Sequence, residues 1–194
     1  MAKKAKSTLL NMVLSLTVIA VVAAAALAAV NNATEDTIEQ KQKEKTEAAI
    51  KKVLPEFAEL QETKVLPDGE KDSLACSKAL DASGNFVGMA VQSFTDKGFN
   101  GHIDVMVGFD AEGNVYGYQI LKTGETPGLG SKAQEWFQKN GKGCIIGKTP
   151  GENGFSVSKD GGEVDAITAA TISSRAFCDA INRAYKAFQK GGIE

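Results

Sequence analysis

Four hydroxyl side chains, Thr168, Thr171, Ser173 and Ser174, fall in the stretch Asp165-Ala166-Ile167-Thr168-Ala169-Ala170-Thr171-Ile172-Ser173-Ser174, directly ahead of an amphipathic helical pattern. That arrangement is suited to holding a phosphate. The first turn of a helix leaves backbone N–H groups without intrahelical partners and places the positive end of the dipole beside them, so an anion there is stabilised. Plain helix capping uses the same hydroxyls, and the residues alone leave both roles open. The helix is well marked, because Phe177, Ala180, Ile181, Ala184, Tyr185 and Phe188 recur at steps of three and four and form one apolar face. Arg175, Asp179, Asn182, Arg183 and Lys186 are expected to lie away from that face. Ser173 or Ser174 is the expected N-cap, with Thr171 just outside the first turn, and Gly191 and Gly192 are expected to stop the helix.

A second candidate is the loop Thr123-Gly124-Glu125-Thr126-Pro127-Gly128-Leu129-Gly130-Ser131-Lys132. Its glycines let backbone approach a flat ligand, Pro127 stiffens the turn, and Glu125, Thr126 and Lys132 bring hydrogen-bonding groups. It lacks the Gly-Lys-Ser/Thr ending of a phosphate-binding P-loop, and Gly147-Lys148-Thr149 runs into Pro150 and Gly151 where a helix should begin. A short helix is expected over residues 133–139, carrying Trp136, which is read as a core side chain.

The elements that must position these loops are strands. From about Leu74 the apolar period changes to two. Segments 74–80 and 86–94 flank Asp81-Ala82-Ser83-Gly84-Asn85, and segments 102–109 and 115–121 flank Asp110-Ala111-Glu112-Gly113-Asn114. Four strands in two hairpins predict an antiparallel sheet, and with the helices an α+β domain.

Residues 9–30 carry no charge and only Asn11, Ser15 and Thr17 as polar side chains. As a helix these 22 residues would be about 33 Å long, enough to cross a bilayer core. Lys3, Lys4 and Lys6 precede the run and Glu35, Asp36 and Glu39 follow it, which predicts a cytoplasmic N-terminus and an extracytoplasmic remainder. The competing assignment is a cleaved signal peptide with Ala26-Leu27-Ala28 as its cleavage site; either exports the domain. The expected organisation is a cytoplasmic N-terminus over residues 1–8, a transmembrane helix over 9–30, a charged stalk over 31–60 and a folded domain over 61–194. A net charge of −2, with no basic cluster beyond the N-terminal lysines, argues against nucleic acid. Cys76, Cys144 and Cys178 match no metal-ligand spacing and His102 is the only histidine, so no metal site is expected. The thiols are read as buried and inert, though export would allow two of them to pair.

Asp165-x-x-Thr168-Ala169-Ala170-Thr171 resembles the Asp-x-x-Ser/Thr-Gly-Ala-Thr motif of the extracytoplasmic FMN-binding domains in Rnf and sodium-translocating NADH:quinone reductase complexes. Glu125-Thr126-Pro127-Gly128-Leu129-Gly130 resembles the second signature of the same domains. The order of membrane helix, stalk, strands, loop and threonine motif extends the resemblance over essentially the whole chain. It implies FMN joined through its phosphate to Thr171 by a flavin transferase, with Glu125, Thr126, Leu129, Gly130 and Lys132 contacting the flavin and Thr168, Ser173 and Ser174 near the phosphate. It implies no catalytic acid, base or nucleophile. Ala169 departs from the motif glycine. The short length and the Asp-Ala-Ile-Thr opening are more similar to the G subunit of an Rnf complex, which couples ferredoxin:NAD⁺ electron transfer to Na⁺ or H⁺ movement beside other membrane subunits. The C subunit of the NADH:quinone reductase, a flavin domain of another exported reductase, and a non-redox membrane-anchored binding module are the alternatives.

Overall fold

The computed structural model describes residues 8–192. Lys3, Lys4 and Lys6, on which the expected orientation rests, lie outside the described residues. Helix α1, Leu9–Val53, is 45 residues long. The chain divides into two compact units, Met1–Glu44 and Lys45–Glu194. In the first, the apolar side chains of α1 are exposed, among them Leu14, Ile19 and Leu27, and the helix is long and apolar enough to cross a membrane.

The second unit is built on a five-stranded antiparallel meander: β1 (Glu59–Val65), β2 (Leu74–Leu80), β3 (Phe86–Gly98), β4 (Gly101–Asp110) and β5 (Val115–Thr123), in that spatial order. Four strands stand where the alternation places them. The fifth, β1, lies partly within the segment expected to be stalk. Its sequence Glu-Leu-Gln-Glu-Thr-Lys-Val buries only Val65, because an edge strand with polar side chains leaves no apolar alternation to detect.

The two hairpin loops share one device. Asp81 accepts hydrogen bonds from the amides of Ser83 (2.7 Å) and Asn85 (2.9 Å) while Gly84 takes φ +81°. Asp110 accepts from Glu112 (3.1 Å) and Asn114 (2.8 Å) while Gly113 takes φ +85°. A carboxylate satisfying the turn amides and a glycine free to be left-handed explain why Asp-x-x-Gly-Asn recurs.

Both faces of the sheet are covered. Helix α3, Thr171–Gly192, packs Phe177, Ala180, Ile181, Ala184 and Phe188 on one face against Met89, Val91, Val107 and Phe109. The last turns of α1, with Leu54 just after them, bury Ala49, Ile50, Val53 and Leu54 on the other, against Ala79, Ala90 and Met106. Two covered faces explain why β4 is buried almost without interruption rather than at every second residue. Lys45 Nζ also donates to the carbonyl of Leu121.

Several polar residues of α3 are not on a solvated face. Arg183 sits 4.4 Å from the centre of the Phe94 ring, donates to the Phe94 carbonyl at 2.6 Å and pairs with Glu70 at 3.1 Å. Asn182 accepts from the Phe155 amide at 2.7 Å and donates to its carbonyl at 2.9 Å, and Asp179 accepts from Thr95 at 2.8 Å and Lys97 at 2.6 Å. Gly191 and Gly192 are the last two residues of α3 among the described residues. A Cβ on Gly191 would stand 2.7 Å from Val65 Cγ2, so this glycine lets α3 approach β1.

All three cysteines are free. Burial pushes the thiol of Cys76 up to about 11 and that of Cys178 up to about 12, so neither supplies thiolate at neutral pH.

The tightest approach of α1 to the sheet is at Gly108, where a Cβ would lie 1.7 Å from the backbone oxygen of Val53. A backbone atom cannot swing aside as a side chain does. Gly108→Ala is therefore expected to lower stability by about 2–3 kcal/mol in urea unfolding, and Gly88→Ala, opposed by Phe109 O at 2.3 Å, should act in the same direction.

Candidate functional site

Helix α3 begins at Thr171, two residues earlier than the expected serine caps. Ala170 accepts the first helical bond, from Ser174 N at 3.0 Å, so the amides of Thr171, Ile172 and Ser173 precede any i−4 acceptor within the helix. Thr168 and Ala169 form the preceding turn, closed by Ala170 N to Ile167 O at 3.0 Å. Ala169 adopts φ +64°, the one positive φ outside glycine among the described residues. Its position is that of the motif glycine, which explains why glycine suits it: a left-handed conformation costs an L-residue about 1–2 kcal/mol.

Neither serine caps the helix. Ser174 is fully buried; its hydroxyl accepts from Ile167 N at 2.9 Å and donates to Ala170 O at 2.9 Å, clamping the turn from inside. This places it away from any solvent-facing phosphate. Ser173, also buried, donates to Glu125 Oε2 at 2.7 Å.

Glu125 is likewise buried, at 7 % exposure, and its Oε1 accepts from the Phe99 amide at 2.7 Å. A Cβ on Gly130 would stand 2.3 Å from Glu125 Oε2 and 2.6 Å from Ser173 Oγ, so the bare glycine lets the loop close over the pair. Asn100 Nδ2 adds a bond to Gly124 O at 3.0 Å. The tip of the β3–β4 hairpin, the loop after β5 and the start of α3 are thus drawn to one point.

Between them lies a cavity of about 310 Å³. Thr126, Leu129, Gly130, Thr171 and part of Glu125 and Ser173 line it, as do two residues that sequence reasoning did not select, Phe99 and Ile172. Phe99 is 64 % exposed, Ile172 49 % and Leu129 41 %, three large apolar side chains left in the open around one hollow. Phe99 lacked a signal because its role depends on a hairpin tip meeting a loop distant in sequence. Ile172 was hidden among the hydroxyls.

Thr171 is half-buried, and Lys159 Nζ donates to its Oγ1 at 3.0 Å. Next to that lysine, Asp160 accepts two bonds from Arg175, at 2.7 and 2.6 Å, and the guanidinium holds the Asp160 carboxyl below the usual carboxylate range. Thr168 and Lys132 are exposed and stand outside the cavity wall. Trp136, in the short helix α2 (Ala133–Trp136), packs against the core and donates from Nε1 to the carbonyl of Asp165 at 2.8 Å. Tyr118 is a core residue too, with its ring edge on Phe177 and its hydroxyl on Ala133 O at 2.6 Å. Among the described residues no group of acidic, histidine or cysteine side chains could hold a metal ion.

Residues 98–186 match the FMN-binding domain family, a span that opens at the Phe99 hairpin and closes inside α3, so it contains every wall of the cavity. Residues 1–53 match the RnfG N-terminal region. The G subunit of the ion-translocating oxidoreductase complex of Methanosarcina acetivorans is 34 % identical over 188 residues, covering 93 % of this chain and 96 % of that one. The chain belongs to the G-subunit family of ion-translocating oxidoreductase complexes. Another relative in this family, the G subunit of the Na⁺-translocating ferredoxin:NAD⁺ oxidoreductase complex of Acetobacterium woodii, is 31 % identical, covering 91 % of this chain and 89 % of its own. Among solved structures, Shewanella oneidensis NqrC aligns with 65 % of this chain and 66 % of its own at 22 % identity and a TM-score of 0.45. The residues present in this family member fit a flavin: an apolar rim for a flat ring, and a half-buried threonine at a helix start for a phosphate.

Two substitutions test this local geometry. Ala169→Gly should raise stability by about 1 kcal/mol in urea unfolding, because it relieves the left-handed alanine. Glu125→Leu should lower it by about 2–3 kcal/mol, because Phe99 N–H and Ser173 O–H lose their acceptor, while Glu125→Gln, which keeps an acceptor oxygen, should cost less.

Proposed function

We propose that this chain carries FMN joined through its phosphate to Oγ1 of Thr171 and passes electrons between membrane-embedded partners of an Rnf-type complex. The observation that carries the proposal is the meeting, at one cavity, of the Thr171 hydroxyl, the start of α3 and the Thr126–Gly130 loop with the exposed Phe99, Leu129 and Ile172. FMN, when bound, supplies transfer of one or two electrons.

The chain's own residues account for the rest. The first amides of α3 stabilise the negative charge of a phosphodiester, by about 0.3–1 kcal/mol if exposed. Thr171 is held in place by the Ser174 clamp and by the left-handed turn at Ala169. Phe99, Leu129 and Ile172 cover apolar ring surface and keep water from it, and Thr126 offers a hydroxyl at the same wall. Covalent attachment keeps the cofactor from being lost outside the cytoplasm, and a partly open cavity lets the next carrier approach.

In this proposal residues 9–30 span the inner membrane, residues 1–8 are cytoplasmic, residues 31–60 include the stalk, and the remaining domain faces the extracytoplasmic side. The partners are the other membrane subunits of the complex and, during maturation, a flavin transferase. The complex couples ferredoxin:NAD⁺ electron transfer to movement of Na⁺ or H⁺.

Co-expressed with the transferase, the intact protein is expected to gain the mass of one FMN and to fluoresce in a denaturing gel; Thr171→Ala should abolish both. A fluorescent Thr171→Ala chain would show that the attachment lies elsewhere. Co-purification with multispanning subunits separates the Rnf role from that of another exported reductase.

A further inference from the structure

Beside Thr171 the chain builds a second contact that the flavin motif does not contain. Lys159 and Asp160 are consecutive residues of a 3₁₀ turn, Ser158–Asp160, and Thr171 and Arg175 are four apart on α3, so they share one face of the helix. The two pairs are cross-linked in register: Lys159 Nζ to Thr171 Oγ1 at 3.0 Å, and Asp160 to Arg175 through two bonds. The turn is itself anchored. Val157 bridges Val164 in parallel, Ser158 N donates to Val164 O at 2.8 Å, and Gly161 at φ +83° ends the turn. A bidentate guanidinium–carboxylate pair has a fixed geometry, so it sets where the neighbouring ammonium stands.

We propose that Lys159 is the counter-cation of a phosphoryl group carried by Thr171, positioned by the Asp160–Arg175 pair; this rests on the attachment proposed above. The contacts at this helix end leave Lys159 placed for that role. Glu125 already places a carboxylate there, and its donors, Phe99 N and Ser173 Oγ, are both neutral. A phosphodiester on Thr171 adds a second negative charge to the same end of α3. Lys159 is the ammonium that touches the atom bearing it, and Arg175 is committed to Asp160. In the unmodified chain the lysine holds the threonine hydroxyl as a neutral acceptor; with the phosphoryl group in place the same ammonium faces an anion, and the contact strengthens.

The test is a double-mutant cycle on the full chain in detergent. Wild type and Lys159→Met are each purified with and without transferase co-expression, and urea midpoints are read from the fluorescence of Trp136, the only tryptophan. Burial of the ring contributes equally to both chains and cancels. Attachment should favour the folded state about fivefold more in wild type than in Lys159→Met at low salt, a difference that shrinks at about 0.5 M KCl and is retained by Lys159→Arg. A Lys159→Met chain that accepts no flavin while Lys159→Arg accepts it would be the stronger form of the same result. Equal effects of attachment in wild type and Lys159→Met, with Thr171→Ala free of flavin, would overturn the role of Lys159 alone; covalent flavin on Thr171→Ala would overturn the attachment itself.

Discussion

The buried Glu125 carboxylate joins three segments that are far apart in the chain: the β3–β4 hairpin through the Phe99 amide, the loop after β5 through its own backbone and the packed Gly130, and α3 through the Ser173 hydroxyl. A carboxylate withdrawn from water is costly unless its oxygens find donors, and here each oxygen has one. That requirement positions the cavity. The two bonds of Glu125 tie the Phe99 hairpin and the start of α3 to the loop that carries Leu129. The resemblance implied that Glu125 contacts a flavin; it lines the cavity, and through its bonds to Phe99 N and Ser173 Oγ it also holds the walls together.

The sheet supplies rigidity for that junction. With α3 on one face and the end of α1 on the other, β3 and β4 are close-packed on both sides. The cavity sits at the end of this layered core, where the hairpin tip, the loop and the helix start all emerge. An electron carrier benefits from such a frame, since a cofactor whose surroundings do not reorganise loses less energy at each transfer. Membership of the G-subunit family agrees with this architecture, and the span matched to the FMN-binding domain, residues 98–186, contains every segment of the junction.

Much of the fold was legible because its signals are local. A change to a period of two, with turn residues between the segments, marked β2 to β5, a repeat of three and four marked α3, and an uncharged run marked the apolar part of α1. The two Asp-x-x-Gly-Asn loops announced their turns through residue types that only a tight turn demands. What stayed hidden lacked a local signal: β1 is polar because it is an edge, and the serines of α3 looked like caps because their side chains suit that role equally well. Arg183 and Asn182, polar by type, are held against Phe94 and Phe155 by contacts that span long stretches of chain.

At the site the division is sharper. The sequence named the candidate attachment atom, the Thr171 hydroxyl, through the resemblance of a short stretch to a family motif, while the residue chemistry by itself left phosphate binding and helix capping both open. It also determined the second motif and the apolar N-terminal run. Only the tertiary structure decided which of the named residues surround one hollow: Thr126, Leu129, Gly130 and Thr171 do, Ser174 is locked beneath it, and Thr168 and Lys132 stand outside. It alone brought Phe99, Ile172 and Lys159 to the site, and it alone gave the left-handed backbone of Ala169 a physical meaning. The reason is that side-chain chemistry is written residue by residue, whereas proximity arises from burial and hydrogen bonding among segments many residues apart.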